Sequence, residues 1–114
     1  MTDKEWDESS ALKRINGNAA LLRKLLTIYK DSQAQLLKDI DDARSEEDPN
    51  KLANSAHALK GVAANLSADG VAQMAREVEL HALRAEWKDV DSYILKLKES
   101  SERLLRIFAA YLED

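Results

Sequence analysis

An all-α fold, an up-down-up-down antiparallel four-helix bundle with a short extra N-terminal helix, follows from two features of this sequence. Apolar residues recur at helical spacing through four long stretches joined by short polar breaks, an arrangement that sets consecutive helices side by side and antiparallel. Only three glycines and one proline interrupt 114 residues rich in alanine, leucine, lysine and glutamate, and no stretch alternates with the period of a strand. A chain of this length supports one hydrophobic core, so residues 1–114 read as a single domain.

Residues 1–7 are polar and acidic and read as a loose lead-in. A short helix is expected over Ser9–Ile15, ending at Asn16-Gly17-Asn18. Asn18 is a natural N-cap for a helix over 19–44, whose core face carries Leu22, Leu25, Leu26, Tyr29, Leu36, Ile40 and Ala43. Leu21 and Ile28 lie to one side of that face, placed either to pack on the first helix or to meet a partner. Asp48 and Pro49 supply a cap and a first helical residue for the next helix, 49–65.

A turn over Asn65, Ser67, Asp69 and Gly70 leads into a helix over 69–85 with Val71, Met74, Ala75, Val78, Ala82 and Ala85 on its apolar face. No glycine or proline marks its end, and only a shift of apolar phase near Trp87 favours a break over one long helix. Trp87 is expected to cap that end of the bundle. The last helix, 87–112, aligns Val90, Tyr93, Ile94, Leu97, Leu104, Leu105, Phe108, Tyr111 and Leu112.

Composition narrows the function classes. The formal charge is −4 with basic residues scattered among acids, which argues against nucleic acid as a partner. No segment approaches the roughly 18 continuous apolar residues of a membrane span, so no direct membrane contact is expected. The absence of cysteine removes disulfide and thiolate chemistry and fits a reducing, cytoplasmic setting. Glycine-rich phosphate loops and nucleotide fingerprints are missing as well.

The helix over 49–65 holds the candidate site. At about 100° per residue, Leu52, Ala56, Leu59, Ala63 and Leu66 form one apolar stripe with Val62 at its border. His57 projects about 140° from the centre of that stripe, into solvent. Its neighbours at helical spacings are small: Ala53, Gly61 and Ala64. Lys60 is the one long side chain beside it, so a cation flanks a titratable nucleophile standing in a clearing.

The run Ala56-His57-Ala58-Leu59-Lys60-Gly61-Val62-Ala63-Ala64-Asn65-Leu66 resembles the signature of histidine-containing phosphotransfer (HPt) domains of multistep two-component phosphorelays. The likeness extends upstream to Leu12-Lys13-Arg14-Ile15-Asn16-Gly17-Asn18 and Leu25-Leu26-Thr27-Ile28-Tyr29, and downstream to Val78-Glu79. The resemblance implies that His57 accepts a phosphoryl group, that Lys60 is its charge partner, that Gly61 is the gap admitting the group, and that Glu79 faces the histidine from the following helix. At Ala64 and Ser67, where such domains frequently carry glycine, this chain has other small residues. The implied partners are response-regulator receiver domains, which supply Mg²⁺. No cofactor is expected in this chain, which would act as a monomeric phosphotransfer intermediate and not as an enzyme with an ATP site.

His81 reads as a partly buried structural residue. Glu77 stands at i, i+4 from it, but two ligands with no third in sequence reach make a poor metal site. Leu80, Leu83 and Trp87 share a face displaced from the core stripe. The alternative function is a non-catalytic helical interaction module that binds a partner without carrying phosphate. An enzyme with a buried bundle site lacks the required carboxylate and histidine constellation.

Overall fold

The computed structural model describes residues 5–113 and contains five helices in that span: α1 (Glu8–Arg14), α2 (Ala19–Ser45), α3 (Pro49–Asn65), α4 (Asp69–Leu83) and α5 (Trp87–Glu113). In the bundle α2 packs on α3, α3 on α4 and α4 on α5, while α5 closes the ring against α2 and α1 lies on α2. Three-residue turns join the bundle helices, which forces antiparallel neighbours. The 27 residues of α5 amount to about 40 Å of helix, and the molecule is 41 Å long. Among the described residues no helix is long and apolar enough to cross a membrane.

The helix starts follow capping chemistry. The side chains of Asp7, Asn18 and Asp48 each accept a hydrogen bond from a backbone N–H three residues on, and Pro49 occupies the first position of α3. The ends of the first four helices share a second device. A backbone N–H beyond the helix donates back to a carbonyl of the last turn, from Gly17 to Leu12, Asp48 to Ala43, Ala68 to Ala63 and Glu86 to His81. The residue before each donor is left-handed: Asn16, Glu47, Ser67 and Ala85, with φ between 52° and 57°. Glycine is the usual occupant of that position, and none of these four is glycine. This explains the hidden break after α4, which stops at Leu83, and it moves Ala85 from the expected apolar face to an exposed turn.

Leu22, Leu26, Tyr29, Ile40, Leu52, Leu59, Val71, Val78, Leu97, Leu104 and Phe108 are fully buried. Leu25, Leu36, Met74, Tyr93, Leu105, Tyr111 and Leu112 pack partly buried around them. Leu21 and Ile28 stay exposed instead of packing on α1, as do Leu80 and Leu83. Trp87 opens α5 half-buried at one end, with the Arg44 guanidinium 4.9 Å from its ring centroid. Arg44 also makes a two-pronged hydrogen bond to Asp91, at 2.6 and 3.0 Å, tying α2 to α5.

The reading of residues 1–7 as loose needs correction. Residues 1–4 lie outside the described residues, but Trp6 is buried, its indole N–H donates to the Leu66 carbonyl at 2.8 Å, and its ring meets Phe108 and Tyr111 edge-on. The Asp7 N–H donates to the Ser67 carbonyl at 3.0 Å. An aromatic ring with one polar atom seals the turn between α3 and α4, and a periodicity argument cannot register a single residue of this kind.

Left-handed backbone costs a Cβ-bearing residue roughly 1–2 kcal/mol, part of which glycine returns as unfolded-state entropy. Ala85→Gly is therefore expected to stabilise the protein by about 0.5–1 kcal/mol, read as a rise of a few degrees in the thermal midpoint.

Candidate functional site

The candidate site lies on the surface between α3 and α4. Leu52, Ala56, Leu59 and Ala63 turn their side chains into the core, so rotation of α3 about its axis is fixed and His57 must face outwards. Its side chain keeps 64 % of its accessible surface. On α4, burial of Val71, Ala75, Val78 and Ala82 leaves Glu79 at the shoulder of the helix. The two helices thus bring together groups that are 22 residues apart.

Glu79 bridges the site. Its Oε2 lies 3.1 Å from His57 Nδ1, and its Oε1 accepts a hydrogen bond from Lys60 Nζ at 2.9 Å. Burial pushes the Glu79 carboxyl up, but the Lys60 ammonium and then the His57 ring outweigh this and hold it below the ordinary glutamate value of 4.5. An ionised carboxylate can only accept hydrogen bonds. In a neutral ring, a proton shared with that carboxylate sits on His57 Nδ1 and leaves the lone pair on Nε2, the nitrogen away from Glu79. Lys60 is half-buried and engaged with Glu79, a contact that connects it to the histidine through the carboxylate.

Three small residues were expected to clear space around His57. Gly61 and Ala64 are exposed on its face. A Cβ added at Gly61 would meet nothing within 4 Å, so no helix packs closely there and the glycine serves no packing purpose. Ala53 corrects the expectation, being only 4 % exposed and part of the core. Ala53 shares its flank of α3 with Lys60, whose ammonium meets Glu79 of α4, and a helical wheel does not say which flank a neighbour will cover.

Ser67 is a supporting residue that the sequence did not reveal. Buried in the turn after α3, its hydroxyl accepts from Arg14 Nε at 3.2 Å and donates to Ser10 Oγ at 3.0 Å. Its positive φ lies in the left-handed region that favours glycine.

His81, the second histidine, is partly buried as expected. It stacks on Tyr93 with centroids 5.1 Å apart and contacts Glu86 at 2.7 Å through Nδ1. Glu77 is 3.8 Å from its other nitrogen, and Asp89 is 4.0 Å from Nδ1.

The Hpt domain family model matches residues 24–111. The crystal structure of the HPT domain from the Hpt sensor hybrid histidine kinase from Shewanella has a TM-score of 0.81 against this chain. The alignment covers 96 % of this chain and 95 % of that one, at 19 % sequence identity. No curated protein matches the sequence.

Two outcomes follow from the site geometry. Because helical glycine costs about 0.5–1 kcal/mol relative to alanine and space is open, Gly61→Ala is expected to raise the thermal midpoint. The Glu79 pairing contributes stability that is fully present above pH 4.5 and is lost as pH falls through the lowered folded value. Carbon-detected NMR titration should place the Glu79 midpoint below 4.5, and Lys60→Ala should raise it.

Proposed function

The chain belongs to the Hpt domain family, phosphotransfer domains of two-component systems, and from that premise we propose that His57 takes a phosphoryl group from the aspartyl phosphate of one receiver domain and passes it to the aspartate of another. The observation that carries this reading is an exposed imidazole whose Nδ1 is engaged by an ionised carboxylate, so that the nucleophilic lone pair of Nε2 is available.

In the forward step the Nε2 lone pair attacks phosphorus, the N–P bond forms, and the bond from phosphorus to the aspartyl oxygen breaks, returning a carboxylate to the receiver. The proton on Nδ1 stays in place. The ring thereby gains positive charge, which the Glu79 carboxylate offsets in a partly desolvated setting. The reverse step releases the same charge. Transfer of this kind needs alignment and charge compensation more than covalent activation, so Mg²⁺ and most donors to the phosphoryl oxygens come from the receiver. Lys60 is 2.9 Å from Glu79; on its flexible stem it can turn to the phosphoryl oxygens once the group is bound.

Gly61 and Ala64 keep the approach open, since an in-line donor must come within bonding distance of Nε2. The relay role is proposed for the cytoplasm, with the chain acting as a monomer. No catalytic turnover of its own is assigned to it.

The test is incubation with a phosphorylated receiver, followed by detection of acid-labile, alkali-stable phosphate. Wild-type protein should take up the label, and His57→Gln should fold normally by circular dichroism and take up none. Lys60→Ala should slow transfer about tenfold, near the 1.4 kcal/mol of one charge-assisted hydrogen bond. Gly61→Gln should fold and transfer far more slowly. Label retained in His57→Gln would refute the assignment, and wild-type protein that binds receivers without taking up label would instead be a non-catalytic interaction module.

A further inference from the structure

Away from His57, the turn between α4 and α5 gathers a second set of ligating groups that the relay reading does not use. His81 sits in the last turn of α4, Glu86 immediately precedes α5, and Asp89 is in its first turn. The left-handed Ala85 reverses the chain, and the Glu86 N–H closes back on the His81 carbonyl at 3.0 Å. This folds the three side chains onto one spot. His81 Nδ1, one Glu86 oxygen and one Asp89 oxygen all lie within 4.8 Å of one another.

We propose that His81, Glu86 and Asp89 form a binding site for a divalent transition metal of the zinc class. Bonds of about 2.0–2.2 Å in tetrahedral geometry require ligand atoms roughly 3.3–3.6 Å apart. The separations of 2.7 Å from His81 Nδ1 to Glu86 and 4.0 Å to Asp89 bracket that range, so small side-chain shifts bring both distances from the ring into it. Asp89 is 60 % exposed, which leaves room for water as a fourth ligand.

Two further observations support a dication here. Glu77 stands 3.8 Å from Nε2, the ring nitrogen that a metal on Nδ1 leaves protonated; this is outside hydrogen-bond distance, and a small side-chain movement would give the carboxylate–histidine contact that orients ligating rings and raises their basicity. Stacking on Tyr93 holds the ring plane as well. Charge points the same way. Among the described residues, the only ion-pair partner of Glu77, Glu86 and Asp89 is this one imidazole, which can compensate at most one of three negative charges. The nitrogen ligand selects against Mg²⁺ and Ca²⁺, which prefer all-oxygen shells.

Isothermal titration of the purified chain with Zn²⁺, in the absence of any receiver, tests the site independently of the relay function. One equivalent should bind saturably, the thermal midpoint should rise with Zn²⁺ and return with chelator, and Mg²⁺ should give neither effect. His81→Ala should abolish binding. Glu86→Gln and Asp89→Asn, exposed or half-exposed changes that leave the core untouched, should each weaken it at least tenfold, and Glu77→Gln about tenfold. His57→Gln should bind as wild type. Absence of saturable binding, binding that survives His81→Ala in folded protein, or binding lost in His57→Gln would each overturn the proposal.

Discussion

The Glu79 carboxylate, shared between Lys60 on one oxygen and His57 on the other, is the interaction on which the candidate site depends. It links His57 and Lys60 of α3 to α4. A carboxylate at this shoulder is costly to desolvate unless a cation compensates it, and Lys60 meets that need. With the carboxylate held ionised, a neutral His57 ring that shares its proton with Glu79 keeps its lone pair on Nε2. The proposed transfer thus starts from a pairing already present in the free protein.

That pairing requires the two helices to keep a fixed rotation and register. The rotation comes from the apolar stripes of α3 and α4, and the register from the turn at Ser67. The left-handed Ser67 closes that turn, Trp6 seals it through the Leu66 carbonyl, and Arg14 and Ser10 engage the Ser67 hydroxyl. The segment before the bundle therefore belongs to the site's support. At Gly61 the chain carries a glycine inside a helix, with open space above it, where alanine would fold better. In the proposed relay, the open space above Gly61 serves access to His57.

Much of this was legible in the sequence because it is local. The 3.6-residue period located every bundle helix, the caps Asn18 and Asp48 fixed two starts, and the wheel of α3 turned His57 to solvent. The rest was not local. Which flank α4 would cover decided the fate of Ala53, and no pattern within α3 reports it. The end of α4 was hidden because Ala85 takes a conformation that glycine usually signals, and the same hidden turn concealed the gathering of His81, Glu86 and Asp89. Trp6 gave one aromatic signal inside a polar stretch, too little for any periodicity to detect.

The central claim is that Glu79 holds the proton on Nδ1 and leaves Nε2 of His57 as the nucleophile. Nitrogen-15 NMR of the His57 ring, at a pH well above the roughly 6.5 of an unperturbed imidazole, tests it directly. The account predicts a protonated Nδ1 and an unprotonated Nε2 in the wild-type protein, with the preference lost in Glu79→Ala. A wild-type ring protonated on Nε2, or one whose tautomer ignores the loss of Glu79, would contradict it.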